Sequence, residues 1–191
     1  MRVLIAEDEA LIRMDLREML AEEGHEVVGE ARDGAEAIAL ARELAPDIVF
    51  MDVKMPGTDG IEAARVIGAE RIAPVVMVTA FSQQGYVDDA SAAGAMAYLV
   101  KPFTKRDVLP AMTVATSRFA EARALETEVD DLAERLETRK ALDRAKGLLM
   151  AKGMTEPEAF KRLQKFAMDR RMSLKQVSEA IIIAAEAEGG S

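Results

Sequence analysis

The stretch from Asp47 to Gly60 reads DIVFMDVKMPGTDG. Residues 47–51 form a short, mostly apolar run, the pattern of a strand buried on both faces, and the run stops at Asp52. Residues 58–70 then carry Ile61, Ala64, Val66 and Ile67 at helical spacing. The alternation repeats on both sides. Toward the N-terminus, residues 3–6 are an apolar run ending in Glu7-Asp8-Glu9, and residues 10–23 show a helical period closed by Gly24. Residues 26–30 read as a strand, and Asp33 opens a helix that ends before Pro46. Toward the C-terminus, residues 74–79 are apolar and β-branched, 83–93 are helical up to Gly94, 96–100 form a fifth strand, and 104–118 begin a fifth helix. Five strands alternating with five helices predict an α/β fold with a doubly wound, five-stranded parallel sheet. Ligands in such sheets bind at the carboxyl ends of the strands, where strand order reverses.

Composition narrows the function. The chain has 191 residues, half of them hydrophobic, enough for a sizeable core. It has no cysteine, which excludes disulfides, cysteine–zinc sites and thiol nucleophiles, and a single histidine, His25, too few for a histidine metal cluster. No apolar run approaches the ~18 residues of a membrane span, and the start MRVLIAEDE turns acidic too early for a signal peptide, so the chain is expected in the cytoplasm without a membrane partner. Net charge is −9, but it is unevenly spread. Residues 1–118 carry 12 basic and 20 acidic side chains, and residues 119–137 carry 2 and 7. Residues 138–176 reverse the balance with 11 basic and 4 acidic, before an acidic end. A polyanion would meet that basic block rather than the average, although charge alone equally describes a solvated helix surface.

The strand ends gather chemistry. Strand one ends in Glu7 and Asp8, strand three in Asp52, strand four in Thr79, and strand five is followed by Lys101. Three converging carboxylates repel one another, and an oxygen-seeking divalent ion such as Mg²⁺ relieves the repulsion. A carboxylate beside Mg²⁺ can attack a phosphoryl group, and a lysine ammonium and a hydroxyl such as Lys101 and Thr79 suit the transferred oxygens. The isomer of the Lys101–Pro102 bond is left open by sequence.

Glu7-Asp8, Met51 to Gly60, Thr79-Ala80 and Lys101-Pro102-Phe103 resemble the response-regulator receiver domain of two-component signalling over residues 1–118. The resemblance implies a flavodoxin-like fold and a partner histidine kinase that phosphorylates Asp52. It implies Mg²⁺ held by Glu7, Asp8, Asp52 and the Lys54 backbone carbonyl, and Thr79 and Tyr98 as the pair that reports phosphorylation. Glu7 stands where the family more often has aspartate.

Residues 119–137 read as a helical linker. Leu125, Val129, Leu132 and Leu136 recur at a/d spacing over two heptads. Two readings stay open: a weak homodimer seam, or a helix packed on its own tail. Residues 138–191 read as three helices. The first runs to Lys152 and Gly153. The second opens at Thr155-Glu156-Pro157-Glu158 with Ala159, Phe160, Leu163, Phe166 and Ala167 on its apolar face, and Ser173 caps the third. The last helix is too apolar and acidic past Lys175 and Gln176 to read a major groove.

Arg144 to Met150, Glu158-Ala159-Phe160 with Leu163, Ala167 to Arg171, and Val177 resemble the ANTAR output domain, the RNA-binding module of an antiterminator class. That implies structured RNA with paired hairpins as ligand, bound as a dimer, and control of transcription antitermination. Arg144, Lys146, Arg170 and Arg171, supported by Lys161 and Lys165, are the expected RNA contacts, and no aromatic stacking platform is expected on this surface. The competing classes are a divergent DNA-binding tail and a protein-docking module. No enzymatic output is expected beyond phosphoryl acceptance and its reversal.

Overall fold

The computed structural model describes residues 1–80 and 94–189. The helix expected over 83–93 lies outside the described residues. The chain divides into two compact units, Met1–Arg123 and Ala124–Ser191.

In the first unit, strands β1 (Arg2–Ala6), β2 (Glu26–Ala31), β3 (Ile48–Asp52), β4 (Val75–Ala80) and β5 (Ala97–Lys101) form one parallel sheet in the order β2-β1-β3-β4-β5. Order reverses between β1 and β3, so the carboxyl ends of these two strands flank the crevice. Helices α2 (Gly34–Leu44) and α3 (Gly60–Ala69) cover one face, where Ala37, Ala41, Ala63, Ala64 and Ile67 meet Leu4, Val49, Met51 and Met77. Helix α1 (Ala10–Glu22) and the start of α4 (Lys105–Ala151) cover the other, where Leu16, Leu20, Val108 and Met112 meet Val3, Ile5, Phe50 and Val78. Alternation of side chains along each strand supplies both faces, and β3 is buried along its whole length.

The caps are local and chemical. Asp33 accepts the Glu36 N–H at 2.8 Å to start α2, and Asp59 accepts the Glu62 N–H at 2.8 Å to start α3. Gly60 brings α3 against the end of β3: a Cβ there would lie 1.8 Å from the Asp52 carbonyl oxygen. Only glycine permits that approach.

Helix α4 runs unbroken over 47 residues, through what the sequence divides into a fifth helix, a linker and a first tail helix. Pro110 sits in its second turn and does not end it. Leu125, Val129, Leu132 and Leu136 are all more than half exposed among the described residues.

The second unit closes around Ala145 and Leu149 of α4, Ala159 and Leu163 of α5 (Glu156–Arg170), and Val177 of α6 (Leu174–Gly189). Glu158 accepts from the Thr155 backbone N–H at 2.9 Å and from its hydroxyl at 2.7 Å. At the start of α6 the bonds are reciprocal: the Ser173 N–H donates to Gln176 Oε1 at 2.9 Å and the Gln176 N–H donates to Ser173 Oγ at 3.1 Å. Arg171 ends α5 in the left-handed region at φ 53°. Phe160 and Phe166, expected on the inner face of α5, are exposed at 37% and 38%. The buried stripe is Ala159–Leu163, with Ala167 half-buried beyond it. At about 100° per residue the two rings fall roughly 60° to either side of that stripe. No helix among the described residues is long and apolar enough to cross a membrane.

Gly60→Ala is expected to lower the unfolding free energy by about 1–3 kcal/mol, because the backbone at Asp52 must shift to admit the methyl. Urea denaturation of the full chain checks this, and an unchanged midpoint contradicts the close approach.

Candidate functional site

The acidic crevice is assembled by the ends of β1, β3 and β5. One oxygen from each of Glu7, Asp8 and Asp52 lies within 4.8 Å of the others. Glu7 and Asp52 are buried, while Asp8 is exposed. Lys101 Nζ sits 2.7 Å from Glu7 Oε2 and 2.9 Å from Asp52 Oδ1, with Glu9 Oε1 farther off at 3.9 Å. The Lys54 N–H donates to Asp52 Oδ2 at 3.2 Å, and the Glu9 N–H to Glu7 Oε1 at 3.2 Å. The structure therefore brings together Glu7, Asp8, Asp52, Lys54 and Lys101. Thr79 is buried near the end of β4, and its hydroxyl donates to the Ala80 carbonyl at 3.3 Å. Tyr98 is half-buried in β5, opposite Met77 and packed against the core beneath α2 and α3. The Lys101–Pro102 peptide is cis.

Burial raises the Asp52 carboxyl above its ordinary range; the hydrogen bond and charge of Lys101 work against this, and the Asp8 charge reinforces it. Burial likewise raises Glu7, opposed by its bond to Lys101 and assisted by the Asp52 charge. Burial alone would lower Lys101, but its hydrogen bonds to Glu7 and Asp52, with their charges, hold it above its usual value. When ionised, the three carboxylates outweigh this one ammonium by two charges. An all-oxygen set with that imbalance fits a small, hard divalent cation.

A residue absent from the sequence reading holds this crevice in shape. Arg13 of α1 is 9% exposed. It donates to the Glu7 backbone carbonyl at 2.5 Å and, through Nε, to Glu30 Oε2 of β2 at 2.9 Å. Its position was legible: Arg13, Leu16 and Leu20 share the buried face at i, i+3 and i+7.

The basic residues of the second unit fall into two groups. Arg144 on α4 pairs with Glu186 at 2.7 Å. Lys146 is largely enclosed, with Asp143 at 2.9 Å and Glu156 at 2.8 Å. Lys161, Lys165, Arg170 and Arg171, on α5 and its cap, are exposed and form no ion pair among the described residues. Arg162 lies over the Phe166 ring, 5.6 Å from its centroid.

Comparison with known proteins gives a family match within each unit. Residues 3–113 match the model of the response regulator receiver domain, and residues 130–182 that of the ANTAR domain. The chain is 63% identical over 182 residues to the transcriptional regulatory protein PdtaR of Mycobacterium tuberculosis strain H37Rv, covering 95% of this chain and 89% of that protein. Among solved structures, the response regulator domain of Thermotoga maritima CheB superposes with TM-score 0.56 at 32% identity, over 61% of this chain and 96% of that one. A CheX-CheY-BeF3-Mg+2 complex from Borrelia burgdorferi superposes with TM-score 0.54 at 30% identity, over 57% of this chain and 84% of that one.

Two outcomes follow. Arg13→Met leaves the buried Glu7 carbonyl without its donor and is expected to cost about 1–3 kcal/mol in urea unfolding. In the second unit, the bonds from Thr155 hold the Glu158 carboxyl below its ordinary range. A depressed carboxylate stabilises the fold above its unfolded pKa, and that contribution is lost as pH falls through the folded value. Helicity followed by circular dichroism should therefore decline as pH drops below about 4. Glu158→Gln should flatten that decline, and an identical acid profile in the variant contradicts the assignment.

Proposed function

Because the chain belongs to the response-regulator family, with a receiver domain followed by an ANTAR domain, we propose that Asp52 accepts phosphate and that this phosphate governs RNA binding by the second unit. The protein is a phosphorylation-dependent response regulator with an RNA-binding ANTAR output, not a protein whose main task is catalysis. The observation that carries the finer reading is the pocket itself: Asp52 at a strand end, its Oδ1 2.9 Å from Lys101 Nζ, with Glu7 and Asp8 alongside.

Residues 1–118 receive the signal, 119–137 couple it, and 138–191 bind RNA. The phosphodonor is a sensor histidine kinase. An Asp52 carboxylate oxygen attacks the phosphorus of its phosphohistidine. The new O–P bond forms as the P–N bond breaks, and the departing imidazole takes up a proton from solvent. Lys101 holds the carboxylate in place and offers its charge to the incoming oxygens. Glu7, Asp8 and Asp52, with the Lys54 carbonyl, would hold Mg²⁺, which when bound neutralises charge on the transferred group. The Thr79 hydroxyl turns to the phosphoryl group, and Tyr98 moves with it to report the change. States differing by a few kcal/mol suffice for such a switch.

The output is dimerisation along the exposed Leu125, Val129, Leu132 and Leu136 seam by a second copy, which presents two ANTAR units to paired RNA hairpins. The process acts on antitermination in the cytoplasm.

Asp52→Asn should abolish phosphate incorporation from a small phosphodonor, read by intact mass. A chelator should slow incorporation in the unaltered chain by at least about tenfold. Retained labelling in the variant would place the acceptor elsewhere. Leu132→Asp should shift the phosphorylated chain toward monomer in sedimentation, and an unmoved distribution contradicts the seam.

A further inference from the structure

The expected RNA contacts included Arg144 and Lys146, yet both are already engaged by acidic side chains within the unit. Of the expected contacts, those that form no ion pair among the described residues, Lys161, Lys165, Arg170 and Arg171, stand on α5 and its cap. Glu158, Lys161, Arg162, Lys165, Phe166 and Asp169 line one shallow groove of about 520 Å³. Their spacing of i, i+3, i+4, i+7, i+8 and i+11 makes them a single stripe along the helix. Glu158 is occupied by the Thr155 cap, so the stripe offers three cations and one further acid, Asp169. In its midst Phe166 is exposed at 38% where a core residue was expected, and Arg162 lies against its ring.

An exposed aromatic ring with a guanidinium over it, next to Lys165 and one turn before Arg170, suits an unpaired nucleobase with its flanking phosphates. A duplex hides the faces of its bases, whereas a hairpin loop presents them. A protein partner would gain little from a groove so dense in unpaired cations, and Phe166 is the one apolar side chain lining it. We infer that Phe166, backed by Arg162, is a stacking platform for a loop nucleobase, and that Lys161 and Lys165 contact the phosphates beside that base. Arg170, at i+4 from Phe166, extends the row. This inference rests on the RNA-binding reading above and adds an aromatic platform on α5 to the basic contacts expected there.

The test uses the full phosphorylated chain and a two-hairpin RNA with randomised loops, taken through selection to a binding sequence. With that RNA, Phe166→Leu, which keeps apolar volume but removes the π face, should weaken binding on the order of tenfold with an unchanged salt slope. Phe166→Trp should stay near the unaltered affinity. Lys165→Gln should instead reduce the salt slope by about one. A 2-aminopurine in the selected loop should be quenched on binding to the unaltered chain and not to Phe166→Leu. Matched circular dichroism spectra confirm that the variants fold. Full affinity and full quenching in Phe166→Leu overturn the platform while leaving RNA binding intact. Selection that yields no salt-dependent RNA overturns the RNA reading and the platform together.

Discussion

Two buried carboxylates, Glu7 and Asp52, share the single ammonium of Lys101, and the arrangement of the receiver follows from keeping those three groups together. Each comes from the end of a different strand, so parallel register across β1, β3, β4 and β5 must deliver them to the same edge of the sheet. Without Lys101 the two buried charges would face each other in a poorly solvated crevice, a cost that pairing offsets. Supporting features act on the same point. Arg13 fixes the Glu7 carbonyl from below, Gly60 lets α3 close against the Asp52 carbonyl, and the Lys54 amide donates to the Asp52 carboxylate.

The second unit resolves its charge differently. Its core is small, built mainly from alanine, leucine, isoleucine and one buried valine, and its helix starts rely on reciprocal caps at Thr155 and Ser173. Acidic side chains pair with Arg144 and Lys146 of α4, while Lys161 and Lys165 of α5 face solvent on the helix that also exposes Phe166. A basic block read from sequence as one surface is thus two populations, one structural and one available to a polyanion.

The sheet and its order of elements were legible because strand and helix periods differ strongly and the turns carry glycine and proline. The strands β3, β4 and β5 each extend one residue beyond the apolar run that revealed them, to Asp52, Ala80 and Lys101. The ladder is made by backbone groups and does not stop where side chains turn polar. The convergence of Glu7, Asp8, Asp52 and Lys101 was legible for the same reason: strand ends in a parallel sheet share an edge. Arg13 lay outside a reading built on apolar positions alone, although its spacing with Leu16 and Leu20 puts it on the buried face. Phe160 and Phe166 were misplaced because an aromatic residue was assumed to face the core. Both flank the narrow Ala159–Leu163 stripe that α4 and α6 bury. Nor could sequence separate paired from unpaired cations, since Arg144 meets Glu186 from 42 residues away.

The central claim is that the acidic pocket controls the basic helix within one chain. Its most direct test is equilibrium titration of the full chain with a two-hairpin RNA, with Mg²⁺ present, before and after addition of beryllofluoride as a phosphoryl mimic. The account predicts salt-sensitive RNA binding that tightens with the mimic and loses that increment in Thr79→Ala. Equal affinity in both states would contradict it, leaving a receiver and an RNA-binding unit joined by a helix but not coupled.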